Sequence, residues 1–163
     1  MPPMENRRVY ITHGKNKAFI HSLKEVLGLV ELEPVVSVER ETVSLPLPDK
    51  VINDMKQCGA AIIHVDDERK LIDPNNPDAG PTIVLNQNVL IEIGAAMALY
   101  GRRFILLVKH GVTLPSNLSG LYEVRYQDDK LDGDTTIRLL KAIKDIKNHP
   151  LPKSSDVALD GTS

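Results

Sequence analysis

The chain predicts an α/β fold in which one parallel sheet is covered by helices on both faces, a three-layer sandwich. Three observations predict it. Ala60-Ala61-Ile62-Ile63-His64-Val65 and Phe104-Ile105-Leu106-Leu107-Val108 are nearly unbroken apolar runs. Runs without alternation read as strands buried on both faces. Segments with helical spacing separate the strand candidates, and such alternation produces parallel sheets through right-handed crossovers. The 163 residues are 42% hydrophobic and 26% charged, ordinary values for one globular domain.

Each element can be justified in order. Val9-Tyr10-Ile11-Thr12 is a short β-branched and aromatic strand. A helix follows from Lys17 to Gly28, with Ala18, Ile20, Leu23 and Leu27 on one face and Gly28 as its stop. Pro34-Val35-Val36-Ser37-Val38 is a weaker second strand. The spacing from Asp49 to Gln57 groups Val51, Ile52 and Met55 on a second helix, with Gly59 behind it as terminator. The third strand is the run from Ala60 to Val65. The segment from Glu68 to Thr82 is rich in Asp, Pro, Asn and Gly and reads as a long loop. Gln87 to Tyr100 is apolar almost all round, which predicts a buried helix. The run from Phe104 is the fourth strand. Tyr122-Glu123-Val124-Arg125-Tyr126 alternates and reads as a more exposed edge strand. Asp134 to Lys147 completes the pattern as an amphipathic helix with Ile137, Leu140 and Ile143 in its stripe and Asp134 or Thr135 as cap. About five strands on this scale give a flavodoxin-like sheet in the order 2-1-3-4-5. The folded domain is expected over residues 8–148, and the polar stretch 149–163 as a disordered tail.

Composition excludes several classes. Lys and Arg number 20 against 22 Asp and Glu, a net charge of -2, so no basic excess exists to neutralise a nucleic-acid backbone. Aromatics are 4% and Trp is absent, which makes the core aliphatic. The one cysteine, Cys58, allows no internal disulfide and no cysteine-based metal cluster, and fits a reducing compartment. The start, Met1 to Arg8, lacks the apolar stretch of a signal peptide, so a cytoplasmic location is expected. The apolar run from Val89 to Tyr100 is shorter than the roughly 20 residues that span a bilayer.

In an open parallel sheet, ligands bind beyond the carboxyl ends of the strands, where the strand order reverses. Here that point lies between the first and third strands. Thr12-His13-Gly14-Lys15-Asn16 leaves the first: Gly14 permits close backbone approach, the helix after it offers unpaired N–H groups, and Lys15 adds a cation. The same residues can also form a plain tight turn with a solvated lysine, and they lack the spacing of a P-loop. Asp66-Asp67-Glu68 leaves the third strand. Asp66 and Asp67 could hold a magnesium ion, though a loop bonding its own backbone is the simpler reading.

Glu92 is the sharper candidate. It is the only charge between Val89 and Gly101, and Val89, Ile93 and Ala96 are its helical neighbours, so it points along an apolar face. A buried carboxylate costs several kcal/mol, or takes up a proton, unless a partner or a task retains it. A salt bridge to Lys15, Arg102 or Arg103 is the alternative. Gly94 costs about 1 kcal/mol mid-helix and predicts close approach of a strand or ligand. The histidines His13, His21, His64, His110 and His149 are scattered without ligand spacing, so no metal site is expected. His64 inside an apolar strand reads as a satisfied core residue. No Gly-x-Ser-x-Gly elbow occurs, and Cys58 has no partner base.

Three stretches together resemble a known family. Val9-Tyr10-Ile11-Thr12-His13-Gly14-Lys15, Asn86-Gln87-Asn88-Val89-Leu90-Ile91-Glu92-Ile93-Gly94 and Leu114-Pro115-Ser116-Asn117-Leu118-Ser119-Gly120-Leu121 are similar to bacterial predicted nucleotide-binding proteins with a TIR-like (Toll/interleukin-1 receptor-like) domain. The resemblance covers about Val9 to Lys147. It implies a flavodoxin-like fold and a role as an effector of anti-phage defence. It also implies cleavage of NAD at the nicotinamide–ribose bond, with NAD as substrate and no further cofactor. The family glutamate falls on Glu92, and the nucleotide loop on His13, Gly14 and Lys15; Asp66 and Asn88 are placed around the nucleotide with them. Self-assembly into a homo-oligomer through TIR–TIR contacts is implied too, with a sensor domain or partner protein as a further candidate partner and no membrane or nucleic acid. The chain departs from the family at Ser44-Leu45-Pro46-Leu47-Pro48-Asp49-Lys50-Val51-Ile52, a region that in TIR domains governs assembly and site access. Two other readings stand beside the NAD glycohydrolase: a non-catalytic nucleotide- or protein-binding module, and a nucleoside deoxyribosyltransferase-like enzyme, whose family also carries a glutamate before glycine in an apolar helix.

Overall fold

The computed structural model describes residues 6–12, 17–36, 47–66, 69–80, 82–84, 87–118, 121–128 and 130–150 of the chain. Seven strands and four α-helices occur among them: β1 (Arg8–Ile11), α1 (Lys17–Leu29), β2 (Glu33–Val36), α2 (Leu47–Lys56), β3 (Ala60–Val65), β4 (Arg69–Leu71), β5 (Thr82–Val84), α3 (Gln87–Tyr100), β6 (Phe104–Lys109), β7 (Glu123–Tyr126) and α4 (Gly133–Ile146). Five strands form one sheet in the order β2-β1-β3-β6-β7. Every pair in it is parallel, with Tyr10 opposite Val35 and Ala61, Ile62 opposite Ile105, and Leu107 opposite Val124. Counted along the parallel strands alone this is 2-1-3-4-5, a flavodoxin-like arrangement.

Pleating sorts the central strands onto two apolar layers. Val9, Ile11, Ala60, Ile62, Ile105 and Leu107 pack with α1 and α4 on one face. Tyr10, Ala61, Ile63, Val65, Leu106 and Val108 pack with α2 and α3 on the other. Aliphatic side chains are the majority in both layers, joined by Phe19 and Tyr126 in the first and by Tyr10, Tyr100 and Phe104 in the second. The Tyr100 hydroxyl at the end of α3 donates to the Met55 carbonyl of α2, which ties those two helices together.

Several expectations are corrected in detail. The segment 68–82 is not a plain loop, because β4 and β5 pair antiparallel across it, Arg69 opposite Val84 and Leu71 opposite Thr82. Strands of three residues are too short to leave a period in the sequence. Helix α1 does not stop at Gly28 but runs to Leu29, and the chain turns at Glu31, whose φ is 61°. Its buried face is Phe19, Ile20, Leu23, Val26 and Leu27, while Ala18 is exposed. In α4 the cap is Asp132, whose carboxylate accepts from the Thr135 N–H at 2.7 Å, rather than Asp134 or Thr135. That helix buries Thr135, Leu139, Ala142, Ile143 and Ile146 and leaves Ile137 55% exposed, since Ile137 lies two residues, about 200°, from Leu139. Helix α3 is covered on one face only: Ile93, Ala95, Ala96 and Tyr100 are buried, whereas Leu90, Ile91 and Met97 are exposed. Gly101 then takes a φ of 62° and reverses the chain from α3 into β6. The 149–163 tail falls, from residue 151 on, outside the described residues, as does the first part of the 44–52 stretch. No helix among the described residues is long and apolar enough to cross a membrane.

Candidate functional site

The strand order reverses between β1 and β3. From β1 the chain leaves towards α1 on one face, and from β3 it leaves through the β4–β5 pair towards α3 on the other. Diverging connections open a crevice at this pole of the sheet. The two strand tips are tied by backbone and side chain: Thr12 N–H donates to the Ile62 carbonyl at 3.3 Å, and Thr12 Oγ1 accepts from the His64 N–H at 2.7 Å.

Helix α3 starts at this pole and carries Glu92 in its second turn. Glu92 is 7% exposed. Its helical neighbours Val89, Ile93 and Ala96 all pack into the aliphatic layer with Ile63 and Val65 of β3, so the expected apolar surroundings are present. Asn88 lies one turn before Glu92 on the same side of the helix and is half-buried. Asp66 is half-buried immediately past the tip of β3. Glu92, Asn88 and Asp66 therefore gather at one pole. His13, Gly14 and Lys15, which follow Thr12 in the chain, lie outside the described residues, and so does Asp67.

The salt bridge to Arg102 or Arg103 is not formed. Arg102 lies beyond the C-terminal end of α3, whose eight residues after Glu92 rise about 12 Å, and Arg103 Nε donates instead to the His149 carbonyl. Gly94 is corrected as well. It faces outward, and among the described residues a Cβ built there would meet nothing within 4 Å, so no described strand approaches it. The reason is rotational: two residues from Glu92 is the opposite side of the helix.

Another buried polar residue at this pole, His64, belongs to the other face. His64 is 6% exposed; its Nε2 is hydrogen-bonded to the Tyr126 hydroxyl, and its ring stacks on Phe19 with centroids 4.6 Å apart and planes at 14°. It is the satisfied core residue that the sequence predicts. β7 is the expected alternating edge strand, and α4 covers its inward side, where Tyr126 is 2% exposed; the alternation alone does not single out Tyr126 as the partner of His64. Its signal was the aromatic at the strand's last position.

Cys58 precedes β3 at the opposite pole. It is buried, and burial pushes its thiol up to about 11, so it stays protonated and unreactive at neutral pH. Among the described residues no group of three or more His, Cys, Asp or Glu could hold a metal ion.

Fold and site together define a flavodoxin-like α/β protein with a buried carboxylate at the switch point of its sheet. The family model of the CAP12/Pycsar effector protein TIR domain matches residues 8–128, and the chain belongs to that family of anti-phage effector domains. The sheet also resembles the Clostridium botulinum CMP N-glycosidase BcmB, at 17% identity and a TM-score of 0.52, over 82% of this chain and 98% of that one. The Francisella novicida lysine decarboxylase LdcF aligns with 88% of this chain over 18% of its own length, at 12% identity and a TM-score of 0.46. Among curated protein sequences no match was found.

Proposed function

We propose that the chain hydrolyses NAD at the nicotinamide–ribose bond, in the cytoplasm, as an effector of anti-phage defence. The observation that carries this reading is the position of Glu92: a buried acid, in an otherwise uncharged helix, at the crevice of a TIR effector domain. The chemistry asks little of the protein. Nicotinamide leaves from NAD as a neutral molecule because its ring nitrogen is already cationic, so no general acid is required. The ribose carbon becomes oxocarbenium-like as the bond breaks. A carboxylate held beside the sugar stabilises that charge, as one carboxylate does in glycosidases. Water then adds to the same carbon, giving ADP-ribose and a proton. Asn88 and Asp66 are assigned to the ribose hydroxyls, and His13, Gly14 and Lys15 to the phosphates.

Assembly is part of the proposal. The outer face of α3 presents Leu90, Ile91 and Met97 at 42, 42 and 48% exposure, and an uncharged apolar helix face is matched best by a second copy of itself. Activity is therefore expected to rise more steeply than linearly with protein concentration.

The test is release of free nicotinamide from NAD by the purified chain, followed by chromatography over a range of protein concentrations. CMP belongs in the same assay as a rival substrate, since the fold neighbour is named for cleaving its N-glycosidic bond. Cytosine release without nicotinamide release would move the assignment to a nucleotide N-glycosidase. Silence towards both, with self-association demonstrated, would leave a binding module.

A further inference from the structure

At the pole where the strands begin, the fold carries an open cavity of about 300 Å³, lined by Arg102, Phe104, Leu121, Tyr122 and His149. Its place in the chain separates it from the site above. Phe104 opens β6, Tyr122 immediately precedes β7, and Arg102 follows the end of α3, which lies about 12 Å of helix beyond Glu92. We propose that this cavity is a second ligand site, which seats a small planar anion.

The walls are held in place by contacts that do not involve a ligand. The Tyr122 hydroxyl donates to Asp145 Oδ2 of α4 at 2.6 Å, which fixes the ring, and this hydrogen bond holds the phenol above its ordinary pKa. The His149 N–H donates to the Ile146 carbonyl at 3.2 Å, and its own carbonyl accepts from Arg103 Nε. The inner surface is apolar, from Phe104 and Leu121. Tyr122 supplies an aromatic face to stack against. Among the described residues, neither the Arg102 guanidinium nor the His149 ring has a hydrogen-bond or ion-pair partner. A guanidinium is a planar fork matched to carboxylate or phosphate oxygens. An apolar base, an aromatic wall and a cation at the rim select a flat ring bearing one negative group. The volume sits at the lower end of the range for small-molecule pockets.

The test is titration of the full chain, with the ring resonances of His149 and Tyr122 followed by NMR. The probes are phenyl phosphate, benzoate and inorganic phosphate. Saturable shifts at both rings with an aromatic anion are expected, and which of the two saturates first identifies the preferred anionic group. Inorganic phosphate is expected to bind at least about tenfold more weakly. Arg102→Ala, at an exposed position, should weaken the aromatic probes at least about tenfold, and Leu121→Glu should abolish binding by placing a like charge in the cavity. Glu92→Gln should leave it unchanged, which separates this site from the proposed NAD site whatever the fate of that reading. Shifts that never saturate overturn the proposal, as does equal affinity for inorganic phosphate. Affinity indifferent to Arg102→Ala, or lost in Glu92→Gln, overturns it too. Should Leu121→Glu fail to fold, Arg102→Ala alone decides.

Discussion

Both faces of the sheet bury polar side chains near the strand tips, and His64 on one and Glu92 on the other stand in different surroundings. On the α1/α4 face, His64 bonds the Thr12 hydroxyl through its N–H and the Tyr126 hydroxyl through its ring, and it stacks on Phe19. Those contacts join β1, β3, β7 and α1, so the polar atoms are structural cross-links. On the α2/α3 face, Glu92 stands beside a layer built from apolar and aromatic side chains. Among the described residues it is the one buried carboxylate, and its helix carries no other charge. The lesson is that burial alone does not mark function. A buried carboxylate at the switch point of the sheet is a better candidate than a polar group that cross-links strands.

The largest expected effect breaks or secures that contrast. Glu92→Gln should lower nicotinamide release by at least about 100-fold without lowering the thermal midpoint; full turnover in the folded variant would remove Glu92 from the chemistry. Tyr126→Phe should do the reverse in kind. It strips a hydrogen bond from a buried imidazole and should cost about 1–3 kcal/mol in denaturant unfolding. A variant as stable as the parent would show that the His64 contacts are not cross-links.

Two smaller effects sharpen the difference between the helices on the two faces. Asp132 caps α4 by accepting from Thr135 N–H, a bond that also holds its carboxyl below the usual carboxylate range. Asp132→Ala should cost about 1 kcal/mol, read from the same unfolding curves. Gly94→Ala in α3 should raise stability by up to about 1 kcal/mol, because its Cβ meets nothing among the described residues. If the variant is instead destabilised or loses self-association, a second copy does approach α3 at Gly94.

Much of the fold was legible because parallel strands announce themselves. The runs at Ala60 and Phe104 have the apolar continuity that two-sided burial demands, and β3 occupies the expected residues. Glu92 was legible for a related reason, since a single charge in an uncharged helix stands out. The β4–β5 pair was not legible, since three residues show no period. The cap at Asp132 was misplaced by two or three residues because Asp132, Asp134 and Thr135 all suit a cap chemically.

The sequence by itself determined the α/β alternation, the aliphatic character of both layers and the presence of one acid inside an apolar helix. These follow from local periodicity and composition, which each segment carries alone. Tertiary structure decided which side of each helix is covered, and so left Leu90, Ile91 and Met97 in the open while Glu92 went inside. It also decided that Tyr126 reaches His64 and that Arg102, Tyr122 and His149 line one cavity. Residues so far apart in the chain meet only because strand order and helix docking bring them together, and no local pattern encodes that distance.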